Sequence, residues 1–92
     1  MADLIHWRIV VSGRVQGVAF RAYTRDKAIE LGVAGTVRNN PDGSVEIEAE
    51  APADVMTTFY NWCKKGPPWA RVMDINTMDG PVEHMKYFRI VH

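Results

Sequence analysis

Three observations predict an α+β domain in which an antiparallel sheet carries two helices on one face. Hydrophobic periodicity alternates between 2 and 3.6 in the order strand, helix, strand, strand, helix, strand. A four-residue turn signal, "NPDG" at 40–43, joins the second and third strands as a hairpin. A length of 92 residues supports one buried core and not two, so residues 1–92 are read as a single domain.

The elements follow in order. Ile5, Trp7, Ile9 and Val11 alternate with His6, Arg8 and Ser12, the period of a strand with one buried face. Val10 breaks the alternation, which marks a central strand apolar on part of both faces. From Phe20 the period lengthens. Phe20, Thr24, Ala28 and Leu31 form one helical stripe, Arg25, Asp26 and Glu30 face water, and Gly32 ends the helix. "VAGTVRN" is a short second strand. "SVEIEAE" is a third, with Val45, Ile47 and Ala49 inward and Glu46, Glu48 and Glu50 expected outward in solvent. "PADVMTTFYNWCKKG" reads as a second helix through Val55, Phe59 and Trp62, closed by Gly66-Pro67-Pro68. "ARVMDINTM" and "KYFRIVH" are two further strands, and the Val72-to-Ile75 spacing predicts a bulge. The commonest solution for this order is the split βαβ, ferredoxin-like arrangement. In it the first and second strands run parallel with the third between them. The loop after the first strand and the end of the second, Arg38 and Asn39, then share one rim.

Charge and composition narrow the function classes. Eleven basic and eleven acidic residues balance, so neither a nucleic-acid nor a membrane footprint is indicated. Residues 1–40 carry six Lys or Arg against three acids, a modest positive bias consistent with a small anionic ligand. Cys63 is the only cysteine, which rules out an internal disulfide or a thiolate metal cluster. The start "MADLIHWRIVV" has no basic n-region and is interrupted by Arg8, so neither signal peptide nor anchor is expected there. The cytoplasm is the expected compartment.

Chemistry concentrates in "GRVQGVAFR" at 13–21, a strand-to-helix joint. Gly13 and Gly17 permit left-handed backbone, so successive N–H groups can line a concavity. The helix start adds positive dipole, and Arg21 in its first turn offers a planar fork to two phosphate oxygens. Each helix-end contribution is worth only ~0.3–2 kcal/mol, so nest and arginine must act together. A glycine-rich connector with surface arginines fits these residues equally well. The stretch is neither a Walker loop nor a dinucleotide fingerprint.

"GRVQGVAFR" together with "GTVRNNPDGSVEIEAE" closely resembles the acylphosphatase family, and "GPPWARV" and "YFRIV" extend the likeness over nearly the whole chain. The resemblance implies hydrolysis of the carboxyl–phosphate bond of a small-molecule acyl phosphate by a monomer needing no metal or cofactor. It implies that Arg21 holds the phosphate and Asn39 orients the attacking water. It further implies a cradle from the backbone amides of Arg14, Val15, Gln16, Gly17, Val18, Ala19 and Phe20. Two positions depart from many relatives: Thr36 where they have tryptophan, and Ala51 where they have glycine.

No carboxylate, histidine or cysteine lies in the motif, and a guanidinium cannot act as base. An acyl phosphate needs none, because its leaving group is a carboxylate and phosphoryl transfer depends on positioning and charge stabilisation. The expected reaction is in-line and substrate-assisted, with a phosphate oxygen taking the water's proton. Other candidates read as structural or exposed. His6, His84 and His92 lack metal-like spacing, Cys63 is a packed thiol, and Trp7, Trp62 and Trp69 are core or groove aromatics. Arg14 and Arg38 steer anions at most. The alternative from another class is a non-catalytic ferredoxin-like module binding a small anion, RNA or a protein partner. Glutamates on the third strand argue against RNA there, and a pure anion binder has no use for Asn39.

Overall fold

The computed structural model describes residues 3–92. Its elements are β1 (Leu4–Arg14), α1 (Phe20–Leu31), β2 (Ala34–Asn39), β3 (Val45–Pro52), α2 (Ala53–Lys65), β4 (Arg71–Gly80) and β5 (Phe88–Ile90). Strand order is β4-β1-β3-β2-β5. β3 pairs antiparallel with β1 on one side and β2 on the other, so β1 and β2 are parallel and end at one rim, as the sequence predicts. β5 departs from the expected all-antiparallel sheet: it pairs parallel with β2 and makes the sheet mixed.

Two helices cover one face. Ile9 and Val11 of β1, Val37 of β2 and Val45, Ile47 and Ala49 of β3 meet Phe20 and Ala28 of α1 and Met56, Phe59 and Cys63 of α2. Thr24 of α1 is buried among them. The buried stripe of α2 is Met56, Phe59 and Cys63, with Val55 and Trp62 at its margins; the sequence reading placed those two flanking residues at the centre. Phe59, fully enclosed, meets Phe88 edge-on at 6.1 Å, so its truncation to Ala should cost ~3–5 kcal/mol. Ala51 is buried and its methyl is accommodated, and Thr36 sits half-buried opposite Glu48. The predicted bulge is present. Ser12 pairs with Asp74 and Gly13 with Val72, leaving Met73 extra on β4, the outer strand.

The other face of the sheet corrects the expectation for the glutamate row. Glu50 is 2% exposed because residues 81–87 cross over it as a strap, and Glu46 is buried between Arg8, Arg38 and Asn40. β1–β3 register sets His6 directly opposite Glu50. The His6 ring lies between Glu50, 2.8 Å from Nδ1, and Glu48, 2.5 Å from Nε2. Backbone N–H groups of Glu83 and Met85 donate to the same Glu50 carboxylate, the latter at 2.8 Å. Burial disfavours the His6 cation, but hydrogen bonds and charge from Glu50 and Glu48 outweigh it and raise its pKa. Burial likewise opposes the Glu50 anion; the Glu83 amide, His6 and the Met85 amide reverse that and lower its pKa. Glu46 is held by Arg8 at 3.5 Å and Arg38 at 3.4 Å.

Candidate active site

The site grows from the β1–α1 joint. After Arg14 the chain turns through left-handed backbone at Gly17 (φ 74) and again at Ala19 (φ 61), the αL component from which anion nests are built. Ala19 is also the N-cap of α1 and has no side-chain oxygen, so no side chain closes the helix start. Among the described residues, none of the N–H groups from Val15 to Ala22 donates to a protein acceptor. A row of donors without protein partners at one helix start is suited to an anion.

Gln16 fixes the loop in place. Its Nε2 donates to the carbonyls of Asn40 at 2.8 Å and Ser44 at 2.9 Å, tying the joint to the β2–β3 hairpin. The hairpin is stiffened in turn: Asp42 accepts from Ser44 N–H at 2.9 Å and Ser44 Oγ at 2.7 Å. Those hydrogen bonds hold the Asp42 carboxyl below its usual range. Asn39, the last residue of β2, directly precedes the hairpin that Gln16 anchors.

A hollow of about 190 Å³ opens between the joint, the end of β2 and the chain after β5. It is lined by Val15, Gly17, Ala19, Phe20, Arg21 and Ala22 on one side and by Asn39, Ile90 and His92 on the other. Arg21 and Asn39, far apart in sequence, thus face one cavity. Of the remaining motif residues, Val18 is buried, Arg14 is exposed, and Gln16 is engaged with the hairpin. Arg38 is drawn to Glu46 on the sheet's other face.

Sequence reasoning missed two features here. His92, read as structural or exposed, is exposed, and it also lines the hollow with Nδ1 3.5 Å from Arg21 Nη1. Only the parallel pairing of β5 could have revealed that, and no local signal encodes it. The Gln16 clamp was also invisible, because its acceptors are backbone carbonyls of a distant loop. Trp69 belongs to neither core nor groove: it is 77% exposed, whereas Trp7 and Trp62 pack partly against the core. Cys63 is fully enclosed, and burial pushes its thiol far above the usual range, which leaves no reactive thiolate.

Comparisons with known proteins show the family and the fold. The Acylphosphatase family model matches residues 7–90. An acylphosphatase of Anaeromyxobacter dehalogenans is 56% identical over 72 residues, 78% of this chain and 77% of the relative. One from Marinobacter nauticus is 44% identical over 87 residues, 94% of this chain and 95% of the relative. The crystal structure of acylphosphatase from Bacillus subtilis superposes with a TM-score of 0.93 at 39% identity, covering 96% of this chain and 99% of that one. A cavity lined by the start of α1, an arginine and a carboxamide therefore stands on a chain whose residues 7–90 match the family model and whose fold superposes on a solved member over 96% of its length: the chain belongs to the acylphosphatase family.

Proposed function

We propose that the chain hydrolyses acyl phosphates to a carboxylate and inorganic phosphate at the hollow between α1 and β2. One observation carries the reading: Arg21, Asn39 and a run of unpaired amides border the same cavity. The phosphoryl group sits on the amides of residues 14–20, with two oxygens on the Arg21 fork. Arg21 stays charged throughout and offsets the charge on the equatorial oxygens as the carboxylate departs. Asn39 offers a carbonyl to a water hydrogen and an amide to its oxygen or to the phosphoryl group, which fixes the angle of attack. Water adds to phosphorus in line, the P–O bond to the acyl group breaks, and a phosphoryl oxygen takes the water's proton. No side-chain base and no covalent intermediate are needed.

We place the protein in the cytoplasm as a monomer acting on a small molecule. Among the described residues, no helix is long and apolar enough to cross a membrane. The test is phosphate release from benzoyl phosphate without added metal. Arg21→Ala should lower the rate by at least about 10²-fold, the usual cost of losing a pre-organised donor. Asn39→Ala should lower kcat more than it weakens inhibition by inorganic phosphate. Parent-level turnover in either variant removes that residue from the mechanism.

A further inference from the structure

The hollow is too small to enclose a whole acyl phosphate. Its volume of about 190 Å³ falls below the ~300–1,000 Å³ usual for small-molecule sites, and suits a phosphoryl group with a water. The acyl group then lies outside it, and the direction of attack says where. In an in-line displacement the entering and leaving oxygens stand at opposite ends of one axis. With the water at Asn39, on the β2 side of the β1–α1 joint, the acyl oxygen leaves toward the other side.

A groove of about 670 Å³ lies on that side. Tyr23 of α1, Trp62 and Lys65 of α2, and Pro67 and Pro68 of the turn after α2 line it. Strand order and register fix its place. β1 separates β4 from the β3–β2 pair, and Gly13 and Arg14, which lead into the joint, pair with Val72 and Arg71 at the start of β4. The turn over residues 66–70 therefore reaches the rim that carries Asn39 and flanks the joint from the opposite side. One ring connects the two spaces: Phe20 lines the hollow and packs on Trp62 of the groove at 6.0 Å. Gly66, at φ 72, lets the turn close on that ring, since a Cβ there would stand 2.9 Å from Phe20 Cε2.

The lining suits one kind of occupant. Tyr23 is 45% exposed and Trp62 half-buried, so two aromatic side chains and two prolines offer apolar surface to a flat group. Among the described residues, Lys65 is the one charged side chain lining the groove, and its sign is opposite to that of the departing carboxylate. We propose that this groove is the subsite for the acyl group, that Tyr23 sets its specificity, and that the substrates it favours are acyl phosphates with an aryl or comparably bulky apolar acyl group. The proposal rests on the phosphate-site reading above.

Turnover of benzoyl phosphate and of acetyl phosphate, whose acyl group is too short to fill the groove, is compared in parent, Tyr23→Ala, Tyr23→Phe and Arg21→Ala proteins. In Tyr23→Ala the ratio of kcat/KM for benzoyl to acetyl phosphate should fall about threefold to tenfold, mainly through KM, the scale of one aromatic contact. Tyr23→Phe keeps the ring and should hold the parental ratio within about twofold. Inorganic phosphate has no acyl group, so it should inhibit Tyr23→Ala as strongly as the parent. A ratio unmoved in Tyr23→Ala, or phosphate inhibition that weakens along with it, overturns the acyl subsite. If Arg21→Ala still lowers turnover of both substrates in that case, the phosphate site itself stands. Turnover of both substrates indifferent to Arg21→Ala overturns both readings.

Discussion

Replacing Glu50 by glutamine tests the charged cluster beneath the strap. In the parent, three groups converge on this carboxylate, the His6 ring and the amides of Glu83 and Met85, and its side chain is 1% exposed. Glutamine keeps one acceptor oxygen and turns an NH₂ toward donors, so at least one of the three loses its partner. A buried donor left unpaired costs about 1–3 kcal/mol, and breaking a buried ion pair about 3–5 kcal/mol. Glu48 remains on His6 Nε2, so about 3 kcal/mol is the fitting value. At ~4–8 °C per kcal/mol for a domain this size, Tm should drop by roughly 12–24 °C.

The pH dependence has a definite sign. His6 has its pKa raised from 6.5, so its contribution is complete below pH 6.5 and is lost as pH climbs through the raised value. Glu50 has its pKa lowered from 4.5, so its contribution is complete above pH 4.5 and is lost as pH falls through the lowered value. The pair is therefore whole between those limits. Urea unfolding of parent and Glu50→Gln at pH 5.5 and pH 8.5 should show a large gap at the lower pH that narrows at the higher. A variant within about 0.5 kcal/mol of the parent at pH 5.5 would mean that the buried carboxylate contributes no more than an ordinary surface substitution.

Three further outcomes follow from particular residues. Gln16→Ala removes both bonds from loop to hairpin and should raise KM for benzoyl phosphate several-fold while costing only ~1–2 kcal/mol of stability; an unchanged KM refutes the clamp. Gly35→Ala places a Cβ 1.8 Å from the Glu48 carbonyl at φ 152, so β2 must separate from β3, and loss of soluble folded protein by circular dichroism is expected. Cys63 should react with an aromatic disulfide reagent only at the rate of global unfolding, and rapid labelling of native protein would contradict its enclosure.

The parts of the molecule legible from sequence were those encoded locally. Alternation in β1, the helical stripe of α1 and the Asn40–Ser44 turn each carry their own signal, and the βαβ crossover rule then sets Arg21 and Asn39 on one rim. What escaped was set by segments without a pattern. Glu50 alternates as an outward residue should, but strap 81–87 covers that face and lacks regular structure from which to foresee it. His92 escaped for a related reason: β5 is three residues long, too short to declare its partner or direction. The α2 stripe slipped by one position because Val55 and Trp62 are apolar enough to mimic its centre.

The outer border of β4 has a colloidal consequence. Ten residues of strand with one unpaired side ordinarily invite another molecule to add a strand of its own. Here the extra Met73 bends the ribbon, and Asp74 and Asp79 bring like charges to any copy approaching in the same orientation. A concentrated solution of this protein is thus guarded against stacking into fibrils by two aspartates and a kink, and neutralising that pair of acids should leave the fold intact while shortening the time to turbidity.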